Sequence, residues 1–501
     1  DSRRRIRKVE LRLHNKTVPV CSHAGILGSG NQVLLRAVRG FLDKDARFAG
    51  GGAGGGAGVV SGAALWLVRP VAAVSACLFV LLLGATLAAG DGDAGFGYWP
   101  QWRGVNRDGI SPDTGLRQDW EASPPELVWM AEGLGSGWAS VSLVGSSIYT
   151  TGDLDQGQGV IAINAADGSV RWAQAVTDGK PDHSYPGGRC TPTVDGDRLY
   201  VVTSDEETGG IVCLRADDGS VLWEIGFQET WDGKMMSQWG FSESPLVDGD
   251  WVLCTPGARD AMMVALDKTT GAEVWRCPLP DDGELKEGAG YSSIVVSEGG
   301  GIKQYVQLVG CGVIGVRARD GRFLWSYEAV ANRTANIPTC ITRGDYVFSA
   351  TGYNQGAGLV KLVPDGNGVK AQEEYFLTGR TLQNKHGGML LIDDYLYLGH
   401  GNARGYPICV EFETGEVAWG GRRQRGVGRG EASVVYADGN VIFRSSNGTL
   451  ALFAASPEGF QLKGTMEPEY QEGKSWAHPV VTGGRLYLRE QDKLMCYDLR
   501  P

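Results

Sequence analysis

Short runs of alternating apolar and polar residues, each pair joined by a Gly- or Asp-containing turn, recur along most of this chain. Alternation over four to eight residues predicts half-buried strands, and a short polar turn between two such runs predicts a hairpin. Eight hairpins of this kind are present, from ASVSLVGSSIYTT, TPTVDGDRLYVVT and SPLVDGDWVLCT to HPVVTGGRLYLR. The pattern indicates an all-β protein built from repeated units.

A second motif follows most of the hairpins and consists of an apolar strand, an Asp-Gly or Thr-Gly pair and then a Trp. The motif tryptophans are Trp172, Trp223, Trp275, Trp325 and Trp419, at successive spacings of 51, 52, 50 and 94 residues. The last spacing spans two units, one of which has Tyr375 in place of Trp. Four strands at a period of about 50 residues are typical of a β-propeller blade.

The eighth hairpin is not followed by such a strand, whereas an isolated strand of the same type, ending at Trp129, precedes the first hairpin. If this N-terminal strand completes the last blade, the ring closes and no sheet edge is left open. The prediction is therefore an eight-bladed β-propeller with four-stranded antiparallel blades over residues 126–501. Residues 91–125 form a lead-in segment.

The first ninety residues differ from the rest of the chain. Residues 1–58 are basic and glycine-rich, and they are interpreted as a disordered, low-complexity segment or an over-extended reading frame. Residues 59–90 include an uncharged apolar run at 71–89, which predicts a signal peptide or, if uncleaved, a membrane anchor. Basic residues before this run and acidic residues after it place the body outside the cytoplasm. We therefore expect an exported protein of the periplasm or cell envelope.

Charge excludes one class of partner. Of the net charge of −11, the first ninety residues contribute 12 Lys and Arg against 4 Asp and Glu, so the remainder carries −19. A body this acidic repels phosphate backbones, and no nucleic-acid partner is expected.

The repeat, with its Asp-Gly or Thr-Gly pair before Trp, resembles that of the pyrroloquinoline quinone (PQQ) propellers of the quinoprotein alcohol dehydrogenase-like superfamily. WPQWRGVNRDG from Trp99 and WAHPVV from Trp476 also resemble segments of exported, planctomycete-type PQQ-like proteins. The resemblance implies two possibilities. Some members are dehydrogenases that use PQQ and Ca²⁺, and others, such as the outer-membrane assembly propeller, are not catalytic.

Two features of the dehydrogenases are missing from the sequence, namely the vicinal Cys-Cys pair beneath PQQ and the Cys-x-x-Cys-His haem motif. Cys213, Cys409 and Cys496 occupy equivalent positions on non-adjacent blades, too far apart for disulfides, and predict buried thiols. The leading hypothesis is a non-catalytic module that binds a ligand or a protein. The alternative is a PQQ- and Ca²⁺-dependent dehydrogenase of alcohols or sugars.

The starts of the innermost strands should converge on the propeller axis. The residues expected there are Trp138, Arg189, Trp239, Tyr291, Asn336, Lys385, His386, Arg429, Trp476 and His478. Aromatic walls with a few polar groups predict a pocket for a small organic ligand, and the arginines favour an anion. An envelope protein is the alternative partner. These residues would have no binding role if they only line a water-filled channel.

Two further expectations concern chemistry at the mouth of the propeller, the end of the axis where these residues converge. In the dehydrogenase alternative, Glu431 is the candidate general base. His386 and His478 open blades 6 and 8, about 90° apart around the axis, and are expected to contact different parts of a ligand. The histidine spacing matches no metal motif, so no metal site is predicted.

Overall fold

Antiparallel strands make up almost all regular structure in the computed structural model, which describes residues 95–180, 184–204, 208–281, 283–424 and 427–501. The segment 1–58 and the apolar run 71–89 lie outside the described residues. No helix within the described ranges is long and apolar enough to cross a membrane.

Eight sheets, each antiparallel, form the blades, and within a blade the strands follow one another from the axis outward. Two strands precede the first repeat: β1 (Tyr98–Trp99) and β2 (Glu126–Ala131). Blades 1 and 2 contain β3 (Ser142–Val144), β4 (Ser147–Asp153), β5 (Gln158–Asn164), β6 (Val170–Ala175), β7 (Thr193–Asp195), β8 (Arg198–Ser204), β9 (Gly209–Arg215) and β10 (Val221–Gly226). Blades 3 and 4 contain β11 (Leu246–Asp248), β12 (Trp251–Cys254), β13 (Met263–Asp267), β14 (Glu273–Cys277), β15 (Val295–Ser297), β16 (Gln304–Val309), β17 (Gly312–Arg317) and β18 (Phe323–Tyr327).

Blades 5 and 6 contain β19 (Ile341–Arg343), β20 (Tyr346–Thr351), β21 (Gly356–Asp365), β22 (Gly368–Thr378), β23 (Met389–Ile392), β24 (Tyr395–His400), β25 (Tyr406–Glu411) and β26 (Val417–Gly420). Blades 7 and 8 contain β27 (Ala432–Ala437), β28 (Asn440–Ser445), β29 (Leu450–Ala454), β30 (Leu462–Met466), β31 (Val480–Thr482), β32 (Arg485–Glu490) and β33 (Lys493–Asp498). A five-residue helix, α1 (Phe227–Trp231), and 3₁₀ turns at Gly299–Gly301 and Gly421–Arg423 lie between strands.

The ring closes as the sequence predicts. β2 pairs with β33 as the outermost strand of blade 8, with Trp129 opposite Cys496. The eight-bladed, all-β prediction is therefore confirmed. One strand was not predicted: β1 pairs with β3, which gives blade 1 a fifth strand on its inner side.

The Gly and Trp of the repeat motif join neighbouring blades. The indole N–H of Trp172 donates to the carbonyl of Ala216 in blade 2 (3.1 Å), and its ring lies against Gly219. Gly219 has φ +74°, and a Cβ there would lie 2.6 Å from the ring, so both the backbone and the packing require glycine. Tyr375 acts in the same way, since its hydroxyl donates to Phe412 O (2.8 Å).

Residues 98–110, which we call the lead-in plug, cross the axis beneath the inner strands. The carbonyl of Pro100 accepts the N–H of Val194 in blade 2, and the N–H of Tyr436 in blade 7 donates to the carbonyl of Gly109. Arg107 donates to Ser244 O (2.6 Å) in blade 3. Because these blades lie on different sides of the ring, the plug closes the end of the axis opposite the starts of the inner strands.

The cysteines behave as predicted for buried thiols. All eight within the described residues are free and buried, including Cys213, Cys409 and Cys496. Burial raises the pKa of the Cys190 thiol to about 12, so the thiol stays protonated and unreactive at neutral pH.

Candidate ligand site in the axial cavity

A cavity of about 440 Å³ lies on the axis where the inner strands start. Among the predicted mouth residues, the cavity is lined by Trp138, Arg189, Trp239, Tyr291, Lys385, His386, Trp476 and His478. Radial repetition of the blades brings these side chains together although they are spread over more than 300 positions of the sequence. Their role in binding stays a prediction.

Three other predicted residues are not among those that line the cavity. Asn336 is fully buried, and its amide donates to Val309 O (2.8 Å), which holds a loop in blade 4. Arg429 is exposed on the loop before blade 7. Glu431 is buried behind Lys385 rather than in the wall itself. Unequal lengths of the loops between blades explain why equivalent positions do not all reach the axis.

Aromatic rings form most of the wall. The ring centroid of Trp476 lies 4.8 Å from that of Trp138, 5.0 Å from that of Tyr185 and 4.3 Å from that of His386. Trp102 of the lead-in plug forms the floor, with its ring 4.6 Å from the ring of His478. Sequence reasoning missed Trp102 and Tyr185, because neither belongs to a repeated strand.

The indole N–H groups of these tryptophans are used within the protein. Trp138 donates to Pro186 O (2.8 Å), Trp239 to Ser184 Oγ (3.1 Å) and Trp476 to Ser446 Oγ (3.2 Å). Trp102 donates to Thr339 Oγ1 (3.2 Å). The tryptophans therefore have ring faces, and not hydrogen-bond donors, to offer a ligand.

A series of hydroxyl groups, which we call the hydroxyl belt, lies two residues before the inner strands of blades 2 to 5: Thr191, Ser244, Ser293 and Thr339. Each hydroxyl oxygen accepts the backbone N–H of the preceding blade, for example Ser244 N–H to Ser293 Oγ (2.9 Å) and Ser293 N–H to Thr339 Oγ1 (3.3 Å). Ser244, Ser293 and Thr339 also line the cavity. The Ser or Thr that recurs at the start of the first five hairpins is the sequence signal that would have found them.

Glu431 belongs to a buried network behind the wall. Its carboxylate accepts hydrogen bonds from Lys385 Nζ (2.7 Å) and Ser446 Oγ (2.8 Å), and Ser446 in turn accepts the indole N–H of Trp476. Burial acts to raise the pKa of Glu431, but the positive charge that His386 gains in acid and the hydrogen bond from Lys385 outweigh this effect and lower the pKa to about 2. The ionised carboxylate therefore holds Lys385 and Trp476 in place.

The two cavity histidines lie closer together than expected. His478 Nε2 is 3.2 Å from the carbonyl oxygen of His386, because the loop before blade 6 turns towards blade 8 at Gly387 (φ +76°). Burial lowers the pKa of His386 to about 4 and that of His478 to about 3, so both rings are neutral at pH 7. A carbonyl only accepts, so His478 Nε2 carries the proton and Nδ1 is a lone-pair acceptor.

Arg189 holds the rim of the cavity. Its guanidinium donates to the carbonyls of Trp239 (2.6 Å) and Tyr185, which fixes the two loops that carry these aromatic rings. Burial lowers the pKa of Arg189 to about 10, so the group remains charged at neutral pH. These carbonyl dipoles solvate the charge in place of water.

The cavity does not fit the PQQ and Ca²⁺ pair that the superfamily implies. Ca²⁺ takes about six to eight oxygen ligands, usually with carboxylates. The described lining includes no carboxylate, and no cluster of three or more His, Cys, Asp or Glu residues suited to a metal occurs in the described ranges. PQQ bears several carboxylates, whereas Lys385 is already paired with Glu431 and Arg189 already donates to backbone carbonyls.

Comparisons with known proteins agree with this architecture. The family model described as outer membrane protein assembly factor BamB matches residues 109–224 and 156–421. No curated protein sequence matches the chain significantly. Among solved structures, BamB from Moraxella catarrhalis is 12% identical with a TM-score of 0.51, and the match covers 75% of this chain and 99% of that one.

A second similar structure is the quinohemoprotein alcohol dehydrogenase from Comamonas testosteroni, which is 12% identical with a TM-score of 0.55 and 80% of each chain covered. At this identity the two structures establish the fold alone. The family-model match and the repeat agree, and the resemblance to the PQQ-like propellers is confirmed. The resemblance to planctomycete-type proteins stays a prediction. The chain belongs to the PQQ-like β-propeller family whose model is described as outer membrane protein assembly factor BamB.

Proposed function

We propose that this chain is a binding protein of the cell envelope whose axial cavity takes a small organic ligand and which does not catalyse a reaction. The observation that carries this proposal is the cavity itself, a recess walled by aromatic rings and floored by Trp102 of the lead-in plug. Its volume of about 440 Å³ is within the ~300–1,000 Å³ range of ligand pockets.

The protonation states around the cavity favour binding over dehydrogenation. An efficient general base has a pKa near the working pH. Glu431, with a pKa of about 2 and a lysine partner, and His386 and His478, with pKa values of about 4 and 3, are weak bases at neutral pH. These groups suit fixed hydrogen-bonding roles better than proton abstraction.

Location in the envelope is supported by two independent features. The apolar run at 71–89, with basic residues before and acidic residues after, is typical of an exported chain, whether the run is cleaved or kept as an anchor. The family model carries the description of an outer membrane protein assembly factor. That description also favours a second candidate function, the binding of an envelope protein.

The test is a ligand screen with the full chain. A library of small organic molecules is titrated while tryptophan fluorescence and native mass spectrometry are recorded. We expect at least one class to bind and the half-buried Trp239, changed in Trp239→Ala, to be required. Trp251→Ala is the matched control, since Trp251 is a half-buried tryptophan of blade 3 that does not line the cavity.

Binding that is equally strong in both variants, or no binding by any member of the library, would contradict the cavity as a ligand site. Co-purification of an envelope protein that still binds Trp239→Ala would then favour the second candidate. Turnover of an alcohol or sugar with PQQ and Ca²⁺ added would instead support the dehydrogenase alternative.

A further inference from the structure

Resting on the proposed function, we propose that the ligand is a neutral ring bearing several hydroxyl groups, the chemical class of a pyranose sugar. The inference comes from matching the charges, hydrogen-bonding groups and ring faces that the protein leaves unused at the cavity. Each of these three properties points to the same class of molecule.

The charged groups that line the cavity already have partners in the protein. Lys385 Nζ lies 2.7 Å from Glu431 Oε1, and the side chain of Glu431 is only 3% exposed, so the carboxylate that holds Lys385 is shielded from solvent. Arg189 donates to two backbone carbonyls at the rim. A charged ligand would compete with these internal partners, whereas a neutral ligand leaves them intact. This differs from the anion that the arginines alone suggest, because Arg429 does not line the cavity.

The hydrogen-bonding groups that the protein leaves unused include both donors and an acceptor. Ser293 and Thr339 of the hydroxyl belt accept backbone N–H groups, and neither donates its own hydrogen to a described residue. On another side, His478 Nδ1 is a buried acceptor with no hydrogen-bond partner among the described residues. His478 itself lines the cavity, so a ligand that reaches both walls would accept from the hydroxyls and donate to the imidazole. An alcohol group does both.

Ring faces supply the rest of the wall. Trp138, Trp239 and Trp476 line the cavity with their N–H groups bonded to the protein, so they offer a ligand apolar ring surface rather than donors. Flat apolar walls with hydrogen-bonding groups between them suit a ring whose faces are apolar C–H groups and whose edge carries hydroxyls. A pyranose has this distribution of polar and apolar surface.

The test is isothermal titration of the full chain with matched sets of methyl pyranosides. Each set contains a neutral sugar, the corresponding uronic acid, which carries a carboxylate, and the corresponding amino sugar, which carries an ammonium group. We expect a neutral member to bind about tenfold or more tightly than its charged counterparts, equivalent to about 1.4 kcal/mol. Trp239→Ala should abolish that binding.

Ser293→Ala should weaken binding of the neutral sugar about three- to tenfold, the effect of one lost hydrogen bond. Ser349→Ala is the matched control, because Ser349 is an equally buried serine of β20 away from the cavity, and its affinity should equal that of the wild type. Melting temperatures identify any variant that fails to fold, and Trp239→Ala, at a half-exposed site, keeps the test valid in that case.

Failure of the neutral-sugar inference can be distinguished from failure of the proposed function. Tighter binding of a uronic acid or an amino sugar that Trp239→Ala abolishes would overturn the neutral-sugar inference and leave the cavity as a ligand site. Absence of binding by every member of the sets would also overturn the inference. The proposed function would then stand or fall with the broader library.

Discussion

The sequence leaves two roles open for Glu431, that of a general base and that of a support for neighbouring side chains, and its partners in the structure favour the second. In sequence, a glutamate beside the mouth of a PQQ-like propeller is a plausible proton acceptor. In the structure it lies behind the wall, bonded to Lys385 and, through Ser446, linked to Trp476. No sequence pattern reveals that pairing, because Lys385 and Ser446 belong to different blades.

The cavity histidines give the protein a defined response to acid. Their pKa values of about 3 and 4 lie below the 6.5 of an exposed histidine, so the unfolded chain binds more protons than the folded one as the pH falls from 6.5 towards 4. Their stabilising contribution is therefore complete above pH 6.5 and is lost below it. Asp153 and Glu243, whose burial raises their pKa values to about 6 and 7, act in the opposite direction.

We predict that His478→Gln reduces the acid dependence of stability. Removing one titrating group should flatten the slope of the unfolding free energy by about 1.4 kcal/mol per pH unit between pH 6 and 4, relative to the wild type. Urea unfolding at several pH values measures this difference, in which the contributions of Asp153 and Glu243 cancel. Parallel slopes for the two proteins would show that His478 is already charged in the folded state.

At the scale of elements, the strand-turn motif describes a contact between two neighbouring blades. Asp-Gly and Trp look like features of the same strand pair, but the ring of Trp172 packs on Gly219 of the next blade. The motif is therefore an interface motif, and its regular recurrence sets the spacing between blades. Trp325 departs from the pattern, since its N–H donates to Gln304 within its own blade (2.6 Å).

We predict that Gly219→Ala destabilises the protein more than Gly196→Ala does. Both glycines have positive φ (+74° and +60°), so alanine is strained at either position. Only at Gly219 would the new Cβ meet a neighbour, the Trp172 ring at 2.6 Å, whereas nothing lies within 4 Å at Gly196. The difference in unfolding free energy should be about 1–3 kcal/mol, measured in urea. Equal losses would mean that the interface relaxes without cost.

The sequence predicts the elements well and the site in part, for physical reasons. The period-2 alternation and the repeat length determine strands, blades and the pairing of β2 with β33. The positions of Trp138, Trp239 and His478 follow from radial repetition. The lead-in plug has no periodicity, so Trp102 was not predicted as the cavity floor. Arg429 lies on a loop whose length differs from the lengths of the equivalent loops. The repeat length of the blades does not predict this difference.

For the whole molecule, stability depends on segments far apart in sequence. The lead-in plug contacts inner strands on several sides of the ring, and β2 completes blade 8. Each outermost strand also carries a register shift, a bulge that twists the blade edge and hinders pairing with other chains.

We predict that deletion of residues 91–131 opens the ring. The deletion removes both the plug and β2, and so exposes the edge of β33 and the floor of the cavity. We expect a lower melting temperature and concentration-dependent association, measured by calorimetry and light scattering. A deletion variant that stays monomeric and melts like the full chain would contradict closure by β2.

Pairing of β2 with β33 also imposes a minimum time on folding during synthesis. Trp129 and its ladder partner Cys496 are 367 residues apart. At ~5–20 residues per second, a ribosome needs about 20–70 s to make the second strand after the first. During that interval β2 has no partner, and the nascent propeller cannot reach its final state however quickly single blades form. Completion of the fold therefore waits for the synthesis of β33, and chains released before that strand is made remain open rings available to chaperones and proteases.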